Sequence, residues 1–211
     1  MKITKFQSYI QKLQALDPKA SLIRGEKAAI FLSGSSDWET ACLREPQKEF
    51  MQILADSGYL VPNSNFPYHR DFEYRALTWP PLWQAGLRNL IYAWQTIHHY
   101  AFRRQLRRHL KPLTKRQEVV IVTGSSGLHI LNEILPDLDF GNTKLTIFAL
   151  GPVSKKKRQT GKARLYVIKG KKDWYSRLFD RHRADALVDC DHYDYCSSDA
   201  VKEIIRQQLG I

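Results

Sequence analysis

Val119-Val120-Ile121-Val122-Thr123-Gly124-Ser125-Ser126-Gly127 decides how this chain is laid out. A branched apolar run that stops at small residues describes a buried strand with an abrupt end. Leu128, Ile130, Leu131, Ile134 and Leu135 then recur at helical spacing. The pattern is strand, tight turn, helix, with two serine hydroxyls in the turn.

The same alternation extends outward on both sides. Strands are expected over 27–32, 59–61, 118–123, 144–150, 164–169 and 185–190. Helices are expected over 4–16, 44–57, 84–110, 174–182 and 198–209, besides the one after the serine turn. The strands are continuous apolar runs, which is the mark of a parallel sheet covered on both faces. The expected fold class is α/β: a mostly parallel six-stranded sheet with helices on both faces, one domain over 1–211. The 151–163 link is polar and lacks a helical pattern. It is either an irregular parallel crossover or the turn of a hairpin.

Composition bounds the function classes. A chain of 211 residues with 43% hydrophobic content can bury a substantial core, which excludes a disordered protein. No apolar stretch is long enough to span a bilayer, and Met1–Gln7 lacks the apolar core of a signal peptide. Cys42, Cys190 and Cys196 show no paired spacing. A reducing, cytoplasmic setting is the simplest expectation. No metal motif is present, because His98-His99 has no CxxC or HExxH company. No cofactor is expected. The formal charge of +12 favours anionic surfaces: nucleic acid, acidic lipid heads or an acidic carrier protein.

Two further stretches follow later strands. They are Lys169-Gly170-Lys171-Lys172-Asp173 and Asp191-His192-Tyr193-Asp194-Tyr195. Together the three stretches present a serine, a carboxylate and a histidine in that order, each just past a strand. This resembles the α/β-hydrolase family, whose triad runs Ser, Asp or Glu, His. The resemblance implies a minimal member, with six strands standing for the family core from its third to its eighth. It implies Ser125 as nucleophile on the elbow, flanked by Thr123 and Gly127. Ser126 fits the elbow less well, because Leu128 would be too bulky two residues on. Thr123 departs from the usual glycine. Asp173 stands where family members often carry Gly-x-x-Asp, and His192 where they often carry His-x-x-Tyr. Asp189, Asp191 and Asp194 remain alternative acids beside His192. The oxyanion donors implied are the backbone N–H of Ser126 and one from Ser33-Gly34-Ser35-Ser36, namely Ser35.

Other readings compete. Val-Thr-Gly-Ser-Ser-Gly-Leu is similar to a dinucleotide-binding turn, but that motif wants glycine where His129 stands and belongs at a first strand. A plain structural turn is the other alternative. In a parallel sheet the carboxyl ends of the strands share one edge. Lys155, Lys156, Lys157 and Arg158, with Lys169, Lys171 and Lys172, should therefore flank the mouth of the site. Lys155, Lys156, Lys157 and Lys172 are the expected contacts for an anionic substrate or carrier. Arg103, Arg104, Arg107 and Arg108 are a helix end at the opposite edge. The aromatic loop 62–83 either roofs a pocket or packs as core. The expected activity is cleavage of a carboxylic ester or thioester by a Ser-His-Asp acyl-enzyme route. The alternative is a non-catalytic protein of the same fold whose basic face meets nucleic acid, acidic membrane or a carrier protein.

Overall fold

The computed structural model describes residues 4–34, 39–76, 82–154 and 162–211. Five strands form one sheet: β1 (Lys27–Ser33), β2 (Glu118–Gly124), β3 (Lys144–Leu150), β4 (Arg164–Gly170) and β5 (Ala186–Val188). They lie side by side in chain order, and every adjacent pair is parallel. Ile30 stands opposite Ile121, and Ile121 opposite Ile147, so a layer of branched side chains crosses three strands.

Side chains alternate between the two faces of the sheet. Ile30, Leu32, Ile121 and Ile147 pack with Leu13 of α1 (Lys5–Ala15), Phe102 and Leu106 of α4 (Tyr100–Leu110) and Leu131 of α5 (Gly127–Ile134). Phe31, Val120, Val122 and Phe148 turn the other way. They meet Phe50, Met51 and Leu54 of α2 (Glu45–Asp56) and Val201 and Ile205 of α7 (Asp199–Leu209). The α/β architecture with both faces covered is thus as the apolar runs imply.

The sheet has five strands, not six. Residues 59–61 form only an isolated parallel bridge, Ala28 to Leu60, on the outer side of β1. Leu60 N–H donates to Lys27 O, and Leu60 O accepts from Ala29 N–H, both at 2.9 Å. The next bridge joins Phe31 to Asn65. Between the two bridges, two residues of β1 (Ala29 and Ile30) face four of the other segment (61–64), and the ladder breaks. Pro62 lies in the gap and has no N–H to give. The bridge still marks a reversal of strand order at β1, and the crevice between the carboxyl ends of β1 and β2 is where such sheets take ligands.

The helical pattern over 84–110 is two helices, α3 (Leu82–His98) and α4, broken at His99 (φ −106°, ψ 97°). The Arg103 guanidinium donates to the Thr96 and Ile97 carbonyls, which the end of α3 leaves without helical partners. Apolar spacing runs through the break and does not mark it.

β3 and β4 pair in parallel, so the 151–163 link is a crossover and not a hairpin. Asp173 consequently falls on the same sheet edge as Ser125. In the aromatic loop, Phe66, Tyr68 and Phe72 are buried in the core, and the Tyr68 hydroxyl donates to Phe31 O at 2.6 Å. Arg108 donates to the carbonyls of Leu13, Gln14 and Leu16, closing the end of α1. Its role there is structural. No described helix is long and apolar enough to cross a membrane.

Candidate active site

β2 ends at Gly124, and Ser125 follows with φ +52°, a left-handed backbone that L side chains rarely adopt. Two bonds hold it there. Its N–H donates to Leu150 O at 3.3 Å, and its carbonyl accepts from Val153 N–H at 2.9 Å. The turn projects the hydroxyl from the carboxyl edge of the sheet. α5 then starts at Gly127, so close to β1 that a Cβ there would lie 2.0 Å from Leu32 O. Only glycine fits that position. Thr123 is fully buried and its hydroxyl reaches Phe148 O at 3.4 Å, so a small β-branched residue is accommodated before the turn.

His192 lies in the loop after β5. Its Nε2 is 3.3 Å from Ser125 Oγ and its Nδ1 3.0 Å from Asp173 Oδ2. An ionised carboxylate only accepts, so Nδ1 carries the hydrogen and Nε2 presents its lone pair to the serine. The Tyr175 ring and the imidazole pack edge to face, with ring centroids 5.2 Å apart.

Asp173 is 1% exposed and caps α6 (Trp174–Phe179), with Oδ1 accepting from Ser176 N–H at 3.0 Å. Oδ2 also accepts from the Tyr195 hydroxyl at 2.7 Å, and that hydroxyl accepts from Gly170 N–H at 2.6 Å. Burial alone would raise the Asp173 pKa. The hydrogen bond from His192, the Ser176 amide, the imidazolium charge and the Tyr195 hydroxyl outweigh it and hold the carboxyl at about 2. Burial and the neighbouring carboxylate push the Tyr195 phenol up, so it stays a donor.

Among the described residues, Asp173 is the one carboxylate bonded to His192. Asp189 pairs with Lys172 at 3.1 Å, and Asp191 Oδ1 accepts from Tyr193 N–H at 2.8 Å. The Ser126 side chain is buried beside Gly34, where a Cβ would sit 2.2 Å from its hydroxyl. The imidazole thus meets Ser125 and not Ser126. The Ser126 N–H makes no hydrogen bond among the described residues. The Gly34 N–H is engaged by Gly124 O at 3.1 Å.

Ser35, Lys155, Lys156 and Lys157 lie outside the described residues. Lys172 is exposed on the loop that delivers Asp173. Lys169 does not flank the mouth. It belongs to β4, and its buried ammonium pairs with Asp180 at 2.8 Å. Among the described residues no group of three metal-ligating side chains converges.

Sequence reasoning passed over two supports of this site. Tyr195 was visible within His-x-x-Tyr, but its contact with Asp173 depends on how the last loop folds. Gly151 has φ +50°, and a Cβ on it would lie 2.5 Å from the Tyr195 ring and 2.8 Å from Asp173 Oδ2. A glycine directly after a strand was its only signal.

The site therefore offers a hydroxyl on a constrained turn, an imidazole acceptor in one tautomer and a buried anion behind it. No family model and no curated protein matches the chain. Among solved structures it is similar to a carboxylesterase from Mesorhizobium loti, with 15% identity, TM-score 0.46, 89% of this chain and 90% of that one covered. It is also similar to an uncharacterized Bacillus cereus protein, at 13% identity and TM-score 0.45 over 88% of this chain and 59% of the other. A candidate alpha/beta hydrolase of unknown function from Agrobacterium tumefaciens shows 8% identity and TM-score 0.42 over 89% and 88%. At identities of 15% or less, the chemistry of the site rests on its own geometry.

Proposed function

We propose that this protein is a serine hydrolase of the α/β-hydrolase kind that cleaves a carboxylic ester or thioester. The observation that carries the proposal is the convergence of His192 Nε2 on Ser125 Oγ at 3.3 Å, with Ser125 at φ +52°. A serine hydroxyl is a poor nucleophile until a base accepts its proton. Here Ser125 Oγ attacks the acyl carbon and its proton passes to His192 Nε2. Asp173 keeps Nδ1–H in place and stabilises the imidazolium that forms. The imidazolium then protonates the departing alkoxide or thiolate, leaving an acyl group on Ser125. Water, deprotonated by His192, attacks that acyl group and releases the acid.

The unengaged Ser126 N–H suits the first oxyanion donor, since it follows the nucleophile at the start of α5. With Gly34 N–H already bonded to Gly124 O, Ser35, the next residue in sequence, remains the proposed second donor. Lys155, Lys156, Lys157 and Lys172 are proposed to meet an anionic part of the substrate or its carrier.

The test is labelling with a fluorophosphonate. Wild-type and Ser126→Ala protein should label, and Ser125→Ala should not. A panel of p-nitrophenyl esters, acyl thioesters and lysophospholipids then separates the substrate classes. Folded wild-type protein that takes no label, yet binds nucleic acid or vesicles in a salt-sensitive way, would favour the non-catalytic reading.

A further inference from the structure

The surface beside His192 has an arrangement that ester cleavage does not use. Residues 171–183 contain five Lys or Arg and two acids, Asp173 and Asp180. Both acids face inward. Asp173 holds His192, and Asp180, 6% exposed, accepts from Lys169 Nζ and His182 Nδ1, each at 2.8 Å. The outer surface of this segment is left with Lys171, Lys172, Arg177, Arg181 and Arg183, all exposed. Among the described residues only Lys172 meets a carboxylate, that of Asp189. Between these cations stand Trp174 at 66% exposure, Leu178 at 69% and Phe179 at 37%.

A single exposed Leu is ordinary on any protein. Here three large apolar side chains of one short helix are exposed together. They are continuous with the imidazole through Tyr175, whose ring lies 4.9 Å from Phe179 and 5.2 Å from His192. Tyr193, whose ring also packs against the imidazole at 5.6 Å, is 39% exposed.

An apolar wedge flanked by cations, with no outward acid in the segment, is complementary to an apolar layer beneath anionic head groups. Single-stranded nucleic acid could use the cations and stack on Trp174, but it gains nothing from Leu178, the most exposed of the three. We propose that α6 and its flanks dock on an anionic lipid surface and present the Ser125 mouth to acyl esters held there. The identity of the substrate rests on the hydrolase reading; the docking itself does not.

The test uses catalytically silent Ser125→Ala protein in co-sedimentation with phosphatidylcholine vesicles, with and without about a third phosphatidylserine. Binding is expected to the anionic vesicles, and it should weaken with salt. Leu178→Asp should lower it about tenfold or more, since a carboxylate would enter the apolar layer. Arg177→Gln and Arg181→Gln should each lower it about fivefold. In the Ser125 background, Leu178→Asp should leave hydrolysis of a water-soluble ester unchanged, because Leu178 is 69% exposed and takes no part in the hydrogen bonds of the site, and a matching melting curve shows that it folds. Failure of folded protein to bind anionic vesicles at low salt overturns the proposal. So does equal binding by the Leu178→Asp variant, or capture of a single-stranded oligonucleotide without capture of vesicles. Vesicle binding in a protein that hydrolyses nothing would sustain the docking and defeat only the hydrolase reading.

Discussion

Tyr195 and His192 share one oxygen of Asp173: the phenol donates at 2.7 Å and the imidazole Nδ1 at 3.0 Å. The other oxygen is taken by the Ser176 amide at the start of α6. With both oxygens engaged in this way, the carboxylate has no freedom to rotate away from the imidazole. The tyrosine also ties β4 to the last loop, because its hydroxyl accepts the Gly170 amide.

Tyr195→Phe removes both bonds and leaves a buried Gly170 N–H unpaired. The expected loss is about 1–3 kcal/mol of stability. Ester turnover or fluorophosphonate labelling should slow about tenfold or more, as the imidazole gains freedom. Urea unfolding and labelling kinetics on the same preparation check both. Unchanged values in both would show that the phenol supports neither the fold nor the imidazole.

The backbone at Ser125 ranks two substitutions at one position. A left-handed residue with a Cβ costs roughly 1–2 kcal/mol, which glycine escapes at a smaller entropic cost. Ser125→Gly should therefore be more stable than Ser125→Ala by about 1 kcal/mol, and neither should take label. Thermal melts of the two variants side by side decide the matter.

Gly151→Ala places a methyl group against Tyr195 and Asp173 at a residue with φ +50°. Overpacking and a strained backbone add, so a loss of about 3 kcal/mol or more is expected. Gly58→Ala is the control. It shares the positive φ (+85°) but has open space around it, so it should lose only the backbone contribution. Equal losses in the two variants would remove the argument for a close approach at Gly151.

Asp173 also links stability to pH. Its folded pKa, about 2, lies below the ordinary carboxylate value of 3.8. A depressed pKa stabilises the fold above the unfolded value, and that stabilisation disappears as pH falls through the folded value. Stability should therefore decline between about pH 4 and pH 2, by roughly 2 kcal/mol from this group. Urea midpoints across that range should fall more steeply for the wild type than for Asp173→Asn. Parallel slopes would show that the carboxyl is not held down by its partners.

The local patterns in the chain were enough to place the five strands of the sheet, the serine turn and the histidine loop. Apolar runs and small-residue turns are local, and burial on both faces of a sheet leaves a direct mark on composition. Residues 59–61 read as a strand for the same reason; their pairing failed at Pro62, where register against β1 could not continue. The break at His99 was hidden because apolar spacing continues across it, while the Arg103 contact that closes α3 depends on the path of the chain.

The resemblance pointed to Asp173 and Ser125, but that these two and His192 meet is a matter of three dimensions. Asp173, Asp189, Asp191 and Asp194 are interchangeable in a string of letters, and Ser125 differs from Ser126 only in its neighbours. The parallel pairing of β3 with β4 brought Asp173 to the serine edge, and the positive φ at 125 aimed one hydroxyl outward while its neighbour went inward. The sequence by itself determined which side chains were available at the carboxyl ends of the strands. The tertiary structure decided which of them meet, because hydrogen bonding at 3 Å depends on strand register and backbone direction, which no local pattern encodes.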